Sequence, residues 1–206
     1  MASVGRVSRR SVEWGGCGGG AVRFKIKTAV LELVESDITA QDVEAIVNAA
    51  NSSLLGGWGV DCASHPAGGP EIQAACRQLG GWVTGEAKNN TGGPLRARDV
   101  IHALGPIYPR GGAERAAELL AGAYRRSLEI AAEHGVRSLA FPAISTGAYG
   151  YPMEQGARVA LQTVIDYLTD QEDNGIRLVR FVLFSKQAYQ VFQRALSELA
   201  EDAAQA

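Results

Sequence analysis

The chain has 206 residues, 46% hydrophobic, 20% charged and 7% aromatic, with 25 Gly, 7 Pro and 3 Cys, a composition that supports one domain with its own core and excludes a disordered body. No apolar run approaches the roughly 18–20 residues needed to span a bilayer, and a formal charge of −2 supplies no basic excess for duplex DNA as the main partner. Cys17, Cys62 and Cys76 are odd in number and lack CxxC spacing, so neither a disulfide framework nor a metal site is expected, and a reducing compartment fits best.

The charge is unevenly spread. Residues up to Lys27 hold six bases and one acid, a net of +5, and the remainder nets −7. Residues 1–21 place Arg6, Arg9 and Arg10 among serines and end in a run of glycines. This segment reads as a disordered arm, because glycine has the most backbone entropy to lose and little here can be buried. An Arg/Ser-rich, acid-poor leader also fits an organelle transit peptide. A cytoplasmic location is therefore expected, with a mitochondrial one as the alternative. Gly16, Gly18 and Ala21 match GxGxx[GA], yet no strand precedes them, so a dinucleotide-binding turn is not supported.

From residue 22 onward, in one domain to residue 206, apolar runs alternate with amphipathic stretches. Strands are predicted at Phe24–Lys27, Ala29–Glu35, Ala45–Val47, Val100–Ala103, Ser138–Phe141 and Leu178–Phe184. Helices are predicted over 70–79, 113–134 (closed by Gly135), 154–168 and 186–200. Strands separated by helices of crossover length imply an α/β sandwich with helices on both faces of the sheet.

In such sheets ligands bind where strand carboxyl ends turn toward helices. Four turns qualify: Ser36-Asp37-Ile38; Asn48 to Asp61, with Gly56, Gly57, Gly59 and Val60; Thr84 to Lys88; and Pro142 to Tyr151, with Ser145, Thr146, Gly147, Ala148 and Tyr149. Two of them are glycine-rich, which lets backbone N–H groups approach an anion closely. Neither contains GK[ST], excluding a triphosphate P-loop. Both lack Lys and Arg, so a phosphate would be held by backbone amides, Ser145 and Thr146. A diphosphate flanked by sugars suits such turns better than a triphosphate with magnesium.

The run from Val47 through Asn51 to Gly57, followed by Gly59-Val60-Asp61, resembles the first loop of macrodomains, and Phe141 to Pro152 resembles their second, diphosphate-binding loop. Thr84-Gly85-Glu86-Ala87, Val100-Ile101-His102 and Gly105-Pro106 fit the intervening strands. The resemblance implies a three-layer α/β/α sandwich around a mixed central sheet. It also implies ADP-ribose as ligand, with no cofactor. The pattern of Asn, Gly-rich loop and Asp is similar to the branch that removes mono-ADP-ribose from proteins or deacetylates O-acetyl-ADP-ribose. A monomer is expected, with no membrane partner, and nucleic acid only as an ADP-ribosylated substrate.

On this resemblance Asp37 and Ile38 bind adenine, although an Asp after a strand also caps turns. Asn51 positions the distal ribose, and Asp61 orients that ribose and the catalytic water. An unperturbed Asp is a weak base at neutral pH, so a diphosphate oxygen would assist it; capping the following helix is the other use of Asp61. Gly56, Gly57, Gly59 and Val60 wrap the ribose; Ser145, Thr146, Gly147 and Ala148 present amides to the diphosphate; Tyr149 packs over the sugar. Asn48, His65 and His102 read as structural, and Lys88 as a solvated strand-end charge. Three residues depart from the branch: Trp58 where it has glycine, Cys62 for another glycine, and Pro66 inside the following helix. A left-handed backbone at Trp58 would cost ~1–2 kcal/mol. The alternative function is therefore a non-catalytic ADP-ribose reader.

Overall fold

The computed structural model describes residues 12–13, 21–50, 83–171 and 174–205. The predicted helix over 70–79 lies outside these residues. The strands are β1 (Val12–Glu13), β2 (Val22–Ile26), β3 (Ala29–Glu35), β4 (Ala45–Ala49), β5 (Ala87–Thr91), β6 (Asp99–Ala103), β7 (Ser138–Phe141) and β8 (Leu178–Leu183). The helices among the described residues are α1 (Ala113–Glu133), α2 (Met153–Asp170) and α3 (Lys186–Gln205).

The strands form one sheet in the order β1-β2-β3-β8-β7-β4-β6-β5. Its centre, from β3 to β6, is parallel, whereas β1, β2 and β5 pair antiparallel at the two margins. This is the expected mixed central sheet of an α/β fold. Parallel neighbours require crossovers, and the amphipathic helices α1, between β6 and β7, and α2, between β7 and β8, supply material for them, whereas α3 follows the last strand. All three helices contribute to one core on one face, with Leu120, Leu128, Leu161, Val164 and Phe192 meeting Val47, Ile101, Leu139 and Phe181 of the strands. The alternate residues Ile46, Val100, Ala140 and Val182 form a smaller cluster on the opposite face with Ile38 and Val43. The period-2 pattern of each strand thus divides its apolar residues between the two clusters.

Several boundaries differ from those expected. β4 runs two residues past Val47, bringing Asn48 into ladder register with His102. The apolar pattern does not mark β5 as a strand, because Ala87–Thr91 is mostly polar and has low β-propensity, and the intervening strand implied by the resemblance at Thr84–Ala87 overlaps β5 only at Ala87. It exists as an edge strand paired with β6, where Asn89 Nδ2 donates to Asp99 Oδ1 at 3.3 Å. Lys88 consequently lies half-buried within a strand, not at its end. Within the segment read as an arm, Val12–Glu13 pairs with Phe24 and Arg23 on the outer edge of β2. α1 stops at Glu133 in a Schellman motif: Gly135 N donates to Ala132 O and Val136 N to Ala131 O, with Gly135 at φ +65. β8 ends at Leu183, leaving Phe184 outside the ladder.

The core has an aromatic centre drawn from four elements. Tyr124 of α1 lies 5.1 Å from Phe141 of β7, which stacks 5.7 Å from Phe181 of β8; Phe192 of α3 lies 5.3 Å from Phe181. Such pairs contribute about 0.5–1.5 kcal/mol beyond the area they bury. Tyr124 is 1% exposed, and burial pushes its hydroxyl pKa far up, so the phenol stays protonated. Its hydroxyl donates to Pro142 O and accepts from Ile144 N, both at 3.0 Å. Helix α1 is thereby tied to the chain leaving β7. Tyr124→Phe removes both bonds and strands two buried backbone groups. The expected loss is about 1–3 kcal/mol in urea unfolding with an unchanged m-value; an unaltered midpoint would show that the hydroxyl holds nothing.

Candidate functional site

The carboxyl ends of β3, β8, β7 and β4 lie side by side, and the turns leaving them carry most of the described candidate residues. The turn after β7 is the most constrained. Ser145 has φ +65, in the left-handed region a non-glycine residue seldom adopts. It is held on both sides: Ile144 N donates to the Tyr124 hydroxyl, and Tyr151 N donates to Ser145 O at 3.0 Å. Gly105, two residues beyond β6, presses against it. A Cβ there would sit 2.2 Å from Ser145 Oγ and 2.5 Å from Ile144 Cγ2. Gly156 in α2 plays a similar part, since its Cβ would meet Thr146 Cγ2 at 2.8 Å. Glycine is required at these two positions because another part of the chain occupies the space.

Gly147 differs. It has no positive φ, and among the described residues nothing lies within 4 Å of the place its Cβ would take. Gly147 and Ala148 are exposed, and no hydrogen bond among the described residues uses their N–H groups or that of Ser145. The side-chain oxygen of Ser145 is buried without a hydrogen-bond partner. The turn therefore offers several backbone donors around open space, an arrangement suited to an anion, while the Ser145 hydroxyl lies buried against Gly105. Thr146 Oγ1 is turned back onto Ala143 O at 2.9 Å, leaving its hydroxyl proton committed within the turn. Tyr149 is half-buried, and its carbonyl accepts from Tyr108 N at 2.9 Å.

After β3 the chain enters a single 3-10 turn, Ile38–Ala40, capped by Asp37. Asp37 Oδ1 accepts from Thr39 N at 2.8 Å and from Thr39 Oγ1 at 2.7 Å. The cap function weighed for Asp37 is thus present, and it uses only one carboxylate oxygen; the residue itself is exposed. The Ile38 side chain is 5% exposed and belongs to the smaller core cluster. What Ile38 can offer a ligand is its backbone N–H, which has no acceptor among the described residues. Side by side stand one acceptor and one donor.

Phe184 completes this end of the site, and the sequence reading missed it by placing it inside the last strand. It is 87% exposed. Ser36 N donates to Leu183 O at 3.1 Å, so Phe184 and Asp37 are the next residues out from two adjacent strand ends. An aromatic ring left in solvent there provides a flat apolar surface beside the donor–acceptor pair. The available signal was its position: the last residue of an apolar run at the carboxyl end of a parallel strand.

At the end of β4, Asn48 and His102 are both fully buried, and Asn48 Nδ2 donates to His102 Nδ1 at 3.1 Å. Both residues tie β4 to β6, the structural part expected of them. Asn51, Gly56, Gly57, Trp58, Gly59, Val60, Asp61, Cys62, His65 and Pro66 lie outside the described residues.

The sequence profile described as Macro domain matches residues 47–160. The O-acetyl-ADP-ribose deacetylase of Cronobacter sakazakii is 46% identical over 175 residues, covering 83% of this chain and 96% of that protein. Among solved structures, the Oceanobacillus iheyensis macrodomain with ADP superposes with a TM-score of 0.85 at 40% identity, covering 89% of this chain and 98% of that one. The Trypanosoma brucei macrodomain in complex with ADP-ribose superposes with a TM-score of 0.75 at 34% identity, covering 81% and 68%.

The two kinds of glycine separate by experiment. Gly105→Ala forces Ser145 and Ile144 aside and is expected to lower stability by about 1–3 kcal/mol. Gly147→Ala is expected to shift the unfolding midpoint by no more than about 0.5 kcal/mol equivalent. Equal losses for the two variants in thermal melts would contradict the assignment of Gly147 to open space.

Proposed function

This chain belongs to the macro domain family, and we propose that it binds ADP-ribose along the carboxyl edge of the sheet and hydrolyses mono-ADP-ribose from modified proteins, O-acetyl-ADP-ribose, or both. The observation that carries the binding reading is the pairing of two different recognition surfaces at one edge. Adenine presents its amino group as a donor beside a ring nitrogen acceptor. Asp37 and the Ile38 N–H match that order, and Phe184 offers a face for the base. The open amides of Gly147 and Ala148 suit the diphosphate. The turn from Pro142 to Pro152 contains no Lys or Arg, so specificity for the phosphates rests on shape and backbone donors.

Hydrolysis rests on the family pattern. The deacetylase name of the Cronobacter relative supports this direction. In this reading Asn51 positions the distal ribose and Asp61 orients a water beside it, with a diphosphate oxygen assisting proton removal. Water adds its oxygen to the anomeric carbon of the distal ribose, or to the acetyl carbonyl carbon. The bond from that carbon to the leaving oxygen breaks, and the leaving oxygen takes up the proton the water gives up. The second reading is a reader that binds without turnover. Trp58, Cys62 and Pro66 favour it, because all three departures fall on the segment that would carry Asp61.

Calorimetry with ADP-ribose and an assay for ADP-ribose released from a mono-ADP-ribosylated protein separate these readings. Phe184→Ala and Gly147→Ala are each expected to weaken binding by about tenfold, equivalent to ~1.4 kcal/mol. Asp61→Ala is expected to abolish release while leaving affinity within about threefold. Undiminished turnover in that variant would remove Asp61 from the mechanism. Binding by the wild-type chain with no release establishes the reader, and Trp58→Gly then tests whether the loop substitution is the cause.

A further inference from the structure

Behind the turn that carries Asp37 stands a polar network buried on the sheet face away from the three helices. Glu32 of β3 is only 2% exposed, although the strand's alternation places a charged residue there. It is charge-compensated on both sides: Arg23 Nε donates to Oε1 at 2.8 Å, and Arg180 Nε of β8 donates to Oε2. Sheet register brings all three together, with Glu32 opposite Arg23 on one flank and opposite Arg180 on the other. Arg180 then extends beyond Glu32. Its Nη1 donates to Gln41 Oε1 at 3.1 Å and to Asp42 Oδ1 at 2.8 Å, and this guanidinium holds the Asp42 carboxyl below the usual carboxylate range.

Gln41 passes this constraint onward. It is 8% exposed, and its Nε2 donates to Asp37 O at 2.7 Å and to Ser36 Oγ at 2.9 Å. The amide has one possible orientation here. Arg180 can only donate, so the oxygen must face it, and both protons on nitrogen are then directed at the Asp37 turn. The turn's own backbone bonds are long, 3.3 Å for Ala40 N to Asp37 O and 3.4 Å for Gln41 N to Ile38 O. The side-chain bond from Gln41 is the shorter and better-made restraint.

Asp37 C=O and Ile38 N–H belong to one peptide unit. That unit is planar and trans, so its carbonyl and its N–H point in opposite directions. A donor fixed on the carbonyl therefore aims the N–H outward, and it also polarises that N–H as a donor. We propose that Gln41, immobilised by Arg180 on the buried Glu32, is a positioning residue that aims the Ile38 N–H and the Asp37 carboxylate at the base and thereby sets selectivity for adenine. The assignment rests on the ADP-ribose reading above. Neither Gln41 nor Arg180 needs to touch the ligand.

The test uses the full chain with two substitutions. Gln41→Met removes both ends of the relay. Gln41→Glu keeps an acceptor for Arg180 but replaces the donors to Asp37 O with a second acceptor. Affinities are measured by calorimetry for ADP-ribose, ADP and inosine diphosphate, whose base carries a carbonyl in place of the amino group, with thermal melts to confirm folding. Both variants are expected to bind ADP-ribose about tenfold more weakly and to narrow the preference for ADP over inosine diphosphate, with Gln41→Glu losing selectivity although it retains the Arg180 contact. A purely structural role would lower the melting temperature and leave that preference unchanged. Folded variants that keep wild-type affinity, or that lose ADP and inosine diphosphate equally, overturn the proposal while the binding reading stands. Failure of the wild-type chain to bind ADP-ribose overturns both.

Discussion

The hydroxyl of Tyr124 is the contact on which the site most depends. It lies at the edge of the aromatic centre formed with Phe141 and Phe181, fully inside the core. From there it satisfies one carbonyl and one N–H of the chain leaving β7. A buried backbone group without a partner is costly, so this one side chain fixes where the turn begins. Because the ring packs against Phe141 of β7 and Phe181 of β8, it joins helix α1 to both strands. The left-handed Ser145 immediately downstream is tolerable only because its neighbours are held in this way.

The glycines express the same division of labour between fold and site. Gly105 and Gly156 are glycine because other residues of the chain fill the space a side chain would need. Gly147 is under no such demand from the described residues. On the proposed reading, backbone amides receive the anion, so the site needs no basic excess. Arg180, partly buried behind the Asp37 turn, is engaged by Glu32, Asp42 and Gln41. A buried carboxylate with two guanidiniums gives little net stability once desolvation is counted. Its value here is geometric, since it gives Gln41 a fixed anchor for the turn at Asp37.

The two ends of the site are built differently. At the end of β7, a strained turn is locked by a core tyrosine and close glycine contacts. At the end of β3, a short 3-10 turn with long backbone bonds depends on side-chain hydrogen bonds. Both occur at the carboxyl edge because parallel strands end there together, and each exit turn leaves several backbone groups without ladder partners.

Much of this was legible in the linear chain. Hydrophobic periodicity located α1, α2, α3, β3 and β7 to within a few residues, since helices and buried strands repeat with different periods. The glycine-rich turns and Asp37 were visible as motifs, and the absence of Lys and Arg from those turns already pointed to backbone-held phosphate. What could not be read locally depended on neighbours. Ala87–Thr91 is a strand because β6 lies beside it, which no propensity conveys. Phe184 is exposed because the ladder stops one residue earlier. Glu32 is buried because sheet register sets Arg23 and Arg180 over it, and those residues are distant in the chain. Composition and pattern by themselves determined an α/β domain with its ligand edge at glycine-rich turns, because periodicity and backbone freedom are local properties. Tertiary structure alone decided which glycine packs and which stands open, which aromatic is left in solvent, and which glutamine holds the Asp37 turn, because each is settled by the side chain that arrives opposite it.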